Sequence, residues 1–303
     1  AEIPRSTFYY HLKALSKPDK YADVKKRISE IYHENRGRYG YRRVTLSLHR
    51  EGKQINHKAV QRLMGTLSLK AAIKVKRYGY RRVTLSLHRE GKQINHKAVQ
   101  RLMGTLSLKA AIKVKRYRSY RGEVGQTAPN VLQRDFKATR PNEKWVTDVT
   151  EFAVNGRKLY LSPVIDLFNN EVISYSLSER PVMNMVENML DQAFKKLNPH
   201  EHPVLHSDQG WQYRMRRYQN ILKEHGIKQS MSRKGNCLDN AVVECFFGTL
   251  KSECFYLDEF SNISELKDAV TEYIEYYNSR RISLKLKGLT PIEYRNQTYM
   301  PRV

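Results

Sequence analysis

Three blocks, VLHSDQG (204–210), QSMSRKGNCLDN (229–240) and AVVECFFGTLK (241–251), decide how this chain is read. The first is a short apolar run that ends on Asp208, the pattern of a buried strand, and the third is a helix that carries Glu244, Phe247 and Leu250. Positions 209–243 separate Asp208 from Glu244. A second strand-borne acid, Asp148 in KWVTDVTEF (144–152), stands upstream, with positions 149–207 between it and Asp208. Three acids on three different elements meet at one point only if a sheet holds them there. Such a cluster is costly unless cations enter it, because close carboxylates repel and one would otherwise protonate. Taken singly, each acid is an ordinary cap or a solvated charge, the usual fate of Asp and Glu. Taken together with their flanks, they point to a metal site.

Working outward, strand patterns cover 144–154, then 159–168 after a turn containing Gly156, then 171–177 after Asn169 and Asn170. An amphipathic helix over 183–197 leads to a strand at 203–206. A helix over 214–225 and a short strand at 228–232 precede the helix of Glu244. Three antiparallel strands, helix, strand, helix, strand, helix is the element order of the α/β ribonuclease H-like fold, a mixed five-stranded sheet with helices. In that order Asp148, Asp208 and Glu244 fall on the first strand, the fourth strand and the following helix. Residues 142–260 are expected to form this core, with a helical extension at 261–303. Asp166 and Asp239 compete for the same roles and read as structural or capping acids.

The preceding half differs in charge. Residues 1–141 carry 34 Lys+Arg against 9 Asp+Glu, so all of the net charge of +25 lies there, and the rest of the chain holds 21 of each sign. Such segregation describes a polyanion-binding arm on a neutral catalytic or packing domain. Residues 1–37 read as a helical DNA-binding segment, in which 6–15 resembles the tail of a recognition helix and 19–32 is amphipathic. Residues 38–76 recur without one change as 77–115, each copy being 39 residues long. Structural repeats keep their pattern but not every surface residue. Identity this complete points to a very recent duplication, to engineering, or to an error in the sequence itself.

Within a copy, Tyr41, Val44 and Leu48 line one helical face and Gly52 stands where a C′ glycine belongs. Asn56 can cap a second helix whose Val60, Leu63 and Met64 face inward. The result is a helix-turn-helix reading for 38–115 that places His57, Lys58, Gln61 and Arg62 toward DNA; a purely structural helical hairpin is the competing reading. Residues 116–141 form a basic linker in which Arg116, Arg118 and Arg121 can track a phosphate backbone.

Other classes are excluded by absence of pattern. The chain has neither a signal-peptide segment nor the uninterrupted apolar run, roughly 18 residues or more, that a membrane span needs, so a cytoplasmic protein without a membrane partner is expected. The basic helices lack the aromatic opposite face of a membrane-surface helix. Cys237, Cys245 and Cys254 show no CxxC spacing and the ten histidines form no HExxH, so neither a zinc site nor a disulfide framework follows. The first residue is Ala rather than Met, and a preceding segment is expected.

The blocks PNEKWVTDVTEF (141–152), KLYLSPVIDLFN (158–169), LHSDQGWQY (205–213), SRKGNCLDNAVVECFFGTLKSE (232–253) and YYNSRRISLKLKGLTPIEYR (276–295) resemble bacterial DDE-class transposases, relatives of retroviral integrases. The nearest likeness is to the insertion-sequence three family, over essentially all of the chain from Tyr39. The resemblance implies that Asp148, Asp208 and Glu244 are catalytic, metal-binding acids, that Lys251 contacts the element end, and that Asn240 shapes the site. It implies two Mg²⁺ ions, replaceable by Mn²⁺, and a homo-oligomer on double-stranded DNA that engages both the terminal inverted repeats and the target. The duplication has no place in the family pattern.

Elementary chemistry points the same way. Two divalent ions about 4 Å apart, clamped by carboxylates, activate a water or a 3′-hydroxyl and stabilise the leaving oxygen of a phosphodiester. The expected function is metal-dependent cleavage and strand transfer at the ends of the chain's own insertion sequence. A ribonuclease H-like nuclease without a joining step and a catalytically inactive DNA-binding repressor are the alternatives.

Overall fold

The computed structural model describes residues 19–69, 84, 87, 88, 91–105, 125–233 and 237–298. The chain divides into two compact units, one running to Ala72 and including Ile282–Leu289, the other made of Ile73–Arg281 and Thr290–Val303. Residues 6–15 and Arg116, Arg118 and Arg121 lie outside the described residues.

The first unit is a helical hairpin under a third helix. Helices α1 (Ala22–Glu34), α2 (Tyr41–Arg50) and α3 (His57–Thr66) bury Ile28, Ile31, Val44, Leu48, Val60 and Leu63. The ends of α2 and α3 follow from local chemistry. Gly52, at φ +79°, ends α2 in a Schellman turn in which Gly52 N donates to His49 O and Lys53 N to Leu48 O. Asn56 Oδ1 accepts from Lys58 N at 2.8 Å and caps α3. Arg27 on α1 holds the Glu51 carboxylate by its Nε and Nη2, fixing α1 over the turn. The stretch 282–289, expected in the C-terminal extension, closes this unit: Ile282 N donates to Tyr39 Oη at 3.0 Å, and a Cβ on Gly288 would come within 3.4 Å of Leu46.

The second copy repeats the local geometry where it is described. Gly91 stands at φ +81° with Gly91 N on His88 O and Lys92 N on Leu87 O, and Asn95 Oδ1 caps α4 (His96–Thr105) through Lys97 N at 2.9 Å. Burial repeats only in part: Val99 is buried like Val60, but the next apolar position is not. Leu63 is 3% exposed, whereas its counterpart Leu102 is 48% exposed. The duplicated segment begins at Arg77, the equivalent of Arg38, and so brings no second α1 to cover that face. Deleting residues 77–115 is expected to leave the melting of the catalytic core unchanged and to weaken, without abolishing, binding of element ends. Calorimetry and a gel-shift titration check both, and unfolding of the core on deletion would reject the modular reading.

The core is one mixed sheet of β1 (Lys144–Thr147), β2 (Thr150–Val154), β3 (Arg157–Asp166), β4 (Val172–Ser178), β5 (Val204–Ser207) and β6 (Lys228–Met231). β3 pairs antiparallel with β1, β2 and β4, while β1–β5 and β5–β6 are parallel. The expected single strand at 144–154 is two. β4 occupies one edge of β3, so β1 and β2 share the other, in one continuous register from Trp145↔Asp166 to Val154↔Arg157. Continued through the gap, that register sets Asp148 opposite Pro163, which has no N–H to offer a ladder, and pairing lapses at 148–149. Six strand segments therefore fill the five expected positions, and Asp148 is released from the sheet.

Helix α5 (Met183–Phe194) packs Val186, Met189, Leu190 and Ala193 against β3 and β4. A single turn α6 (Trp211–Arg214) and helix α7 (Arg216–Glu224) connect β5 to β6. One 3₁₀ turn at Cys237–Asn240 leads into α8 (Ala241–Leu250), and a π-helical turn at Lys251–Phe255 follows it. Helices α9 (Ile263–Ser279) and α10 (Pro291–Thr298) complete the described fold. Among the described residues no helix is long and apolar enough to cross a membrane.

Candidate active site at the ends of β1 and β5

Parallel pairing puts Val146 beside His206. Two residues further along each strand, just past the ladder, stand Asp148 and Asp208. Adjacent parallel strands present their carboxyl ends on the same side, where open α/β sheets commonly hold ligands. Asp208 Oδ1 accepts from Gly210 N at 2.7 Å, and a Cβ on residue 210 would meet that oxygen at 2.9 Å. The backbone at 210 comes so close to the Asp208 carboxylate that an added Cβ would push that oxygen aside. Asp148 Oδ1 accepts from Val149 N at 2.7 Å.

Glu244 lies on the exposed side of α8, opposite Val243, Phe246, Phe247 and Leu250, which are buried. Its carboxyl is pushed up, by burial first and then by the Asp208 charge. Asp208 is raised by burial, partly offset by Gly210 N–H and by the charge of Arg214. Burial, then the charges of Asp148 and Asp208, drive the Tyr213 hydroxyl far above its ordinary value and keep it neutral. Glu244 thus lies in the field of Asp208, and Tyr213 in the fields of both Asp148 and Asp208. Among the described residues, however, no three His, Cys, Asp or Glu side chains are gathered to hold a metal ion. Close carboxylates repel, and that repulsion opposes their meeting.

Lys251 sits at the first position of the π turn, and its Nζ donates to Thr150 Oγ1 at 2.7 Å and lies 5.3 Å from the Phe152 ring centre. Thr150 is two residues beyond Asp148, so the cation reaches the same end of the sheet. Asn240 is buried, 4% exposed, with neither amide atom paired. His57, Lys58, Gln61 and Arg62 are exposed on α3, opposite its buried face; His57 stacks on Tyr41 and Arg62 lies over Tyr21. They belong to the other unit and are described apart from the acids.

Asp166 and Asp239 are engaged elsewhere. Asp166 accepts from Asn142 N, Phe168 N and Arg295 Nη2. Asp239 is held by Asn130, Arg134 and Arg233. Cys245 is an exposed free thiol and Cys254 a buried one. Sequence reasoning misses Tyr213 and Arg214. Tyr213 is fully buried with its hydroxyl beside Thr147, and Arg214 Nε is buried without a hydrogen-bond partner. The available signal is their place in the block that follows Asp208.

The sheet and helix order with acids at its strand ends define an integrase-type core. Family comparison agrees: an integrase core domain matches residues 138–237, a second integrase core domain description matches 244–299, and an HTH-like domain matches twice, at 19–77 and 75–116. The chain belongs to the insertion-sequence three family of transposases. It is 87% identical over 303 residues to the InsK transposase of insertion sequence element IS150 of Escherichia coli K12, covering 100% of this chain and 93% of that one. It is 57% identical over 249 residues to a transposase-like protein of Haemophilus influenzae (82% and 97% covered). With the InsF transposase of insertion sequence IS3fB from Escherichia coli K12 it shares 38% over 180 residues (59% and 62%). The shortfall from full identity with InsK is the size of one repeat copy, as fits a relative that carries the segment once. Among solved structures, an HTLV-2 integrase catalytic core domain in complex with magnesium aligns over 52% of this chain and 99% of its own, at 20% identity and a TM-score of 0.41. The protein is accordingly a transposase, a polynucleotidyl transferase of insertion-sequence DNA with DNA integration.

Proposed function

We propose that Asp148, Asp208 and Glu244 form the catalytic centre and hold two Mg²⁺ ions, replaceable by Mn²⁺. The observation that carries this reading is the β1–β5 register, which brings Asp148 and Asp208 to neighbouring strand ends, with Glu244 in the field of Asp208. The donor set fits the cation. All three side chains are hard oxygen donors of the kind Mg²⁺ prefers, and Asp208 and Glu244 carry charge that burial makes costly and a divalent ion would relieve. When bound, the ions would activate a water or 3′-hydroxyl and stabilise the leaving oxygen of the phosphodiester.

The chain's own residues do the positioning. Gly210 N–H orients the Asp208 carboxylate, α8 delivers Glu244 from the other side, and Lys251 supplies a cation for a phosphate near Thr150. The exposed faces of α3 and α4 hold the terminal inverted repeats, and a homo-oligomer on DNA brings two ends and the target together.

Full-length chain incubated with Mg²⁺ and DNA carrying the element's ends should nick those ends and join them to a second duplex. Cleavage without joining would favour a nuclease, and binding without cleavage a repressor. Lys251→Ala should slow end cleavage by about 10-fold or more while its melting temperature stays within about 2 °C of the parent, the shift of a sub-kilocalorie change in a domain of this size. Unchanged cleavage would reject the role of Lys251.

A further inference from the structure

The stretch 126–136, just ahead of the core, is stitched to β6 and to the 3₁₀ turn that leads into the helix of Glu244. Met231 N donates to Pro129 O at 3.2 Å, and Val131 N and Leu132 N donate to Ser230 Oγ at 2.9 and 3.3 Å. Ser230 Oγ also meets His206 Nδ1 at 2.8 Å, while His206 Nε2 meets the Asp239 carbonyl at 2.9 Å. A carbonyl can only accept, so Nε2 carries the proton and Ser230 donates to Nδ1. His206 is therefore a rigid brace between β5, two residues before Asp208, and the 3₁₀ turn that starts α8.

The Asp239 side chain is the other half of that brace. It is fully shielded from solvent, and both oxygens are used: Oδ1 by Arg134 Nε at 2.8 Å and Arg233 Nη2 at 3.1 Å, Oδ2 by Asn130 Nδ2 at 3.1 Å and by Arg233 N and Nε at 3.0 Å each. A buried carboxylate so enclosed has one favourable position, because moving it strands a charge away from water. Asp239 lies five residues before Glu244, in the turn that leads directly into α8. Where Asp239 is pinned, the rotation and advance of α8 are pinned with it.

We propose that Arg134 and Asp239 are positioning residues for Glu244: the segment ahead of the core clamps the root of α8 and so sets the Glu244 carboxylate against Asp208. The proposal rests on the reading that Asp148, Asp208 and Glu244 bind metal. It assigns to a stretch outside the catalytic blocks a part in assembling the site. Arg134 is 43% exposed at its side chain and Arg233 58%, so truncating Arg134 leaves Asp239 still held by Arg233 and Asn130.

The test uses the full chain and the rise in melting temperature produced by Mg²⁺ or Mn²⁺ alone, beside end cleavage at saturating DNA. Arg134→Ala should raise the metal concentration for half of the thermal shift by about 10-fold, the scale of losing a group that orients a metal ligand, and slow cleavage in step, with DNA affinity unchanged. Arg134→Lys should recover part of both. Arg134→Ala combined with Asp239→Asn should cost no more than Asp239→Asn alone, as expected of one unit. Arg157→Ala, which removes an exposed pair with Glu179 on the same sheet, should match the parent. A metal titration of Arg134→Ala that overlays the parent, whatever its melting temperature, overturns the positioning role. Asp208→Asn with a parental metal-induced shift, or a parent with no shift, instead overturns the metal-site reading on which the proposal stands.

Discussion

Asp208→Asn abolishes end cleavage, by roughly 10³-fold or more, the scale on which removing one member of a catalytic unit acts, and at the same time raises the melting temperature measured without divalent metal. Both effects have one cause. Asp208 is largely shielded from solvent, and burial lifts its carboxyl above the ordinary value. For an acid whose folded value exceeds its unfolded one, the contribution to stability is fully present below the unfolded value and is lost as pH rises through the folded value. At neutral pH the ionised Asp208 is therefore a liability to the fold. Asparagine keeps the shape and removes the charge; each ~1 kcal/mol relieved is worth about 2–4 °C in a domain of this size. The variant should also lose the part of the stability profile that falls between the ordinary aspartate range and the raised one. DNA affinity should hardly change, since the core half carries no net charge. Calorimetry against pH, with a cleavage gel on the same samples, checks this. Parental cleavage by the variant would remove Asp208 from the site.

DNA binding should collapse with salt. All of the net charge of +25 lies in residues 1–141. On α3 the exposed Lys58 and Arg62 lie opposite the buried Val60 and Leu63, and α4 repeats them as Lys97 and Arg101. If about eight phosphates are neutralised, a fourfold rise in salt weakens binding on the order of 10⁴-fold, because each contact releases a condensed counterion. Removing residues 77–115 takes away ten Lys+Arg and one Glu. The slope of log affinity against log salt should then become shallower while staying clearly negative. An affinity that barely responds to salt would show that the arm does not bind by phosphate neutralisation.

Much of this molecule was legible because its signals are local. Alternate residues of TEFAV are buried as a strand with one covered face requires, and Gly52 and Asn56 end and start helices through bonds only a few residues long. Asp208 could be placed at a strand end for the same reason, since an apolar run that stops at a charge marks where burial stops. What could not be read lies in partners distant in sequence. Pro163 interrupts the ladder opposite Asp148 only once register is known. Arg134 meets Asp239 across 105 positions, and Tyr39 meets Ile282 across 243.

The repeat separates the two kinds of information within one chain. Two identical 39-residue sequences form the same Schellman turn at Gly52 and Gly91 and the same cap at Asn56 and Asn95. Backbone dihedrals, caps and turns are decided within a few residues, so identical sequence gives identical local structure. Leu63 and Leu102 nevertheless differ from buried to half exposed. Burial depends on what covers a face: the first copy follows α1, with its Ile28 and Ile31, whereas the duplicated segment carries no second α1.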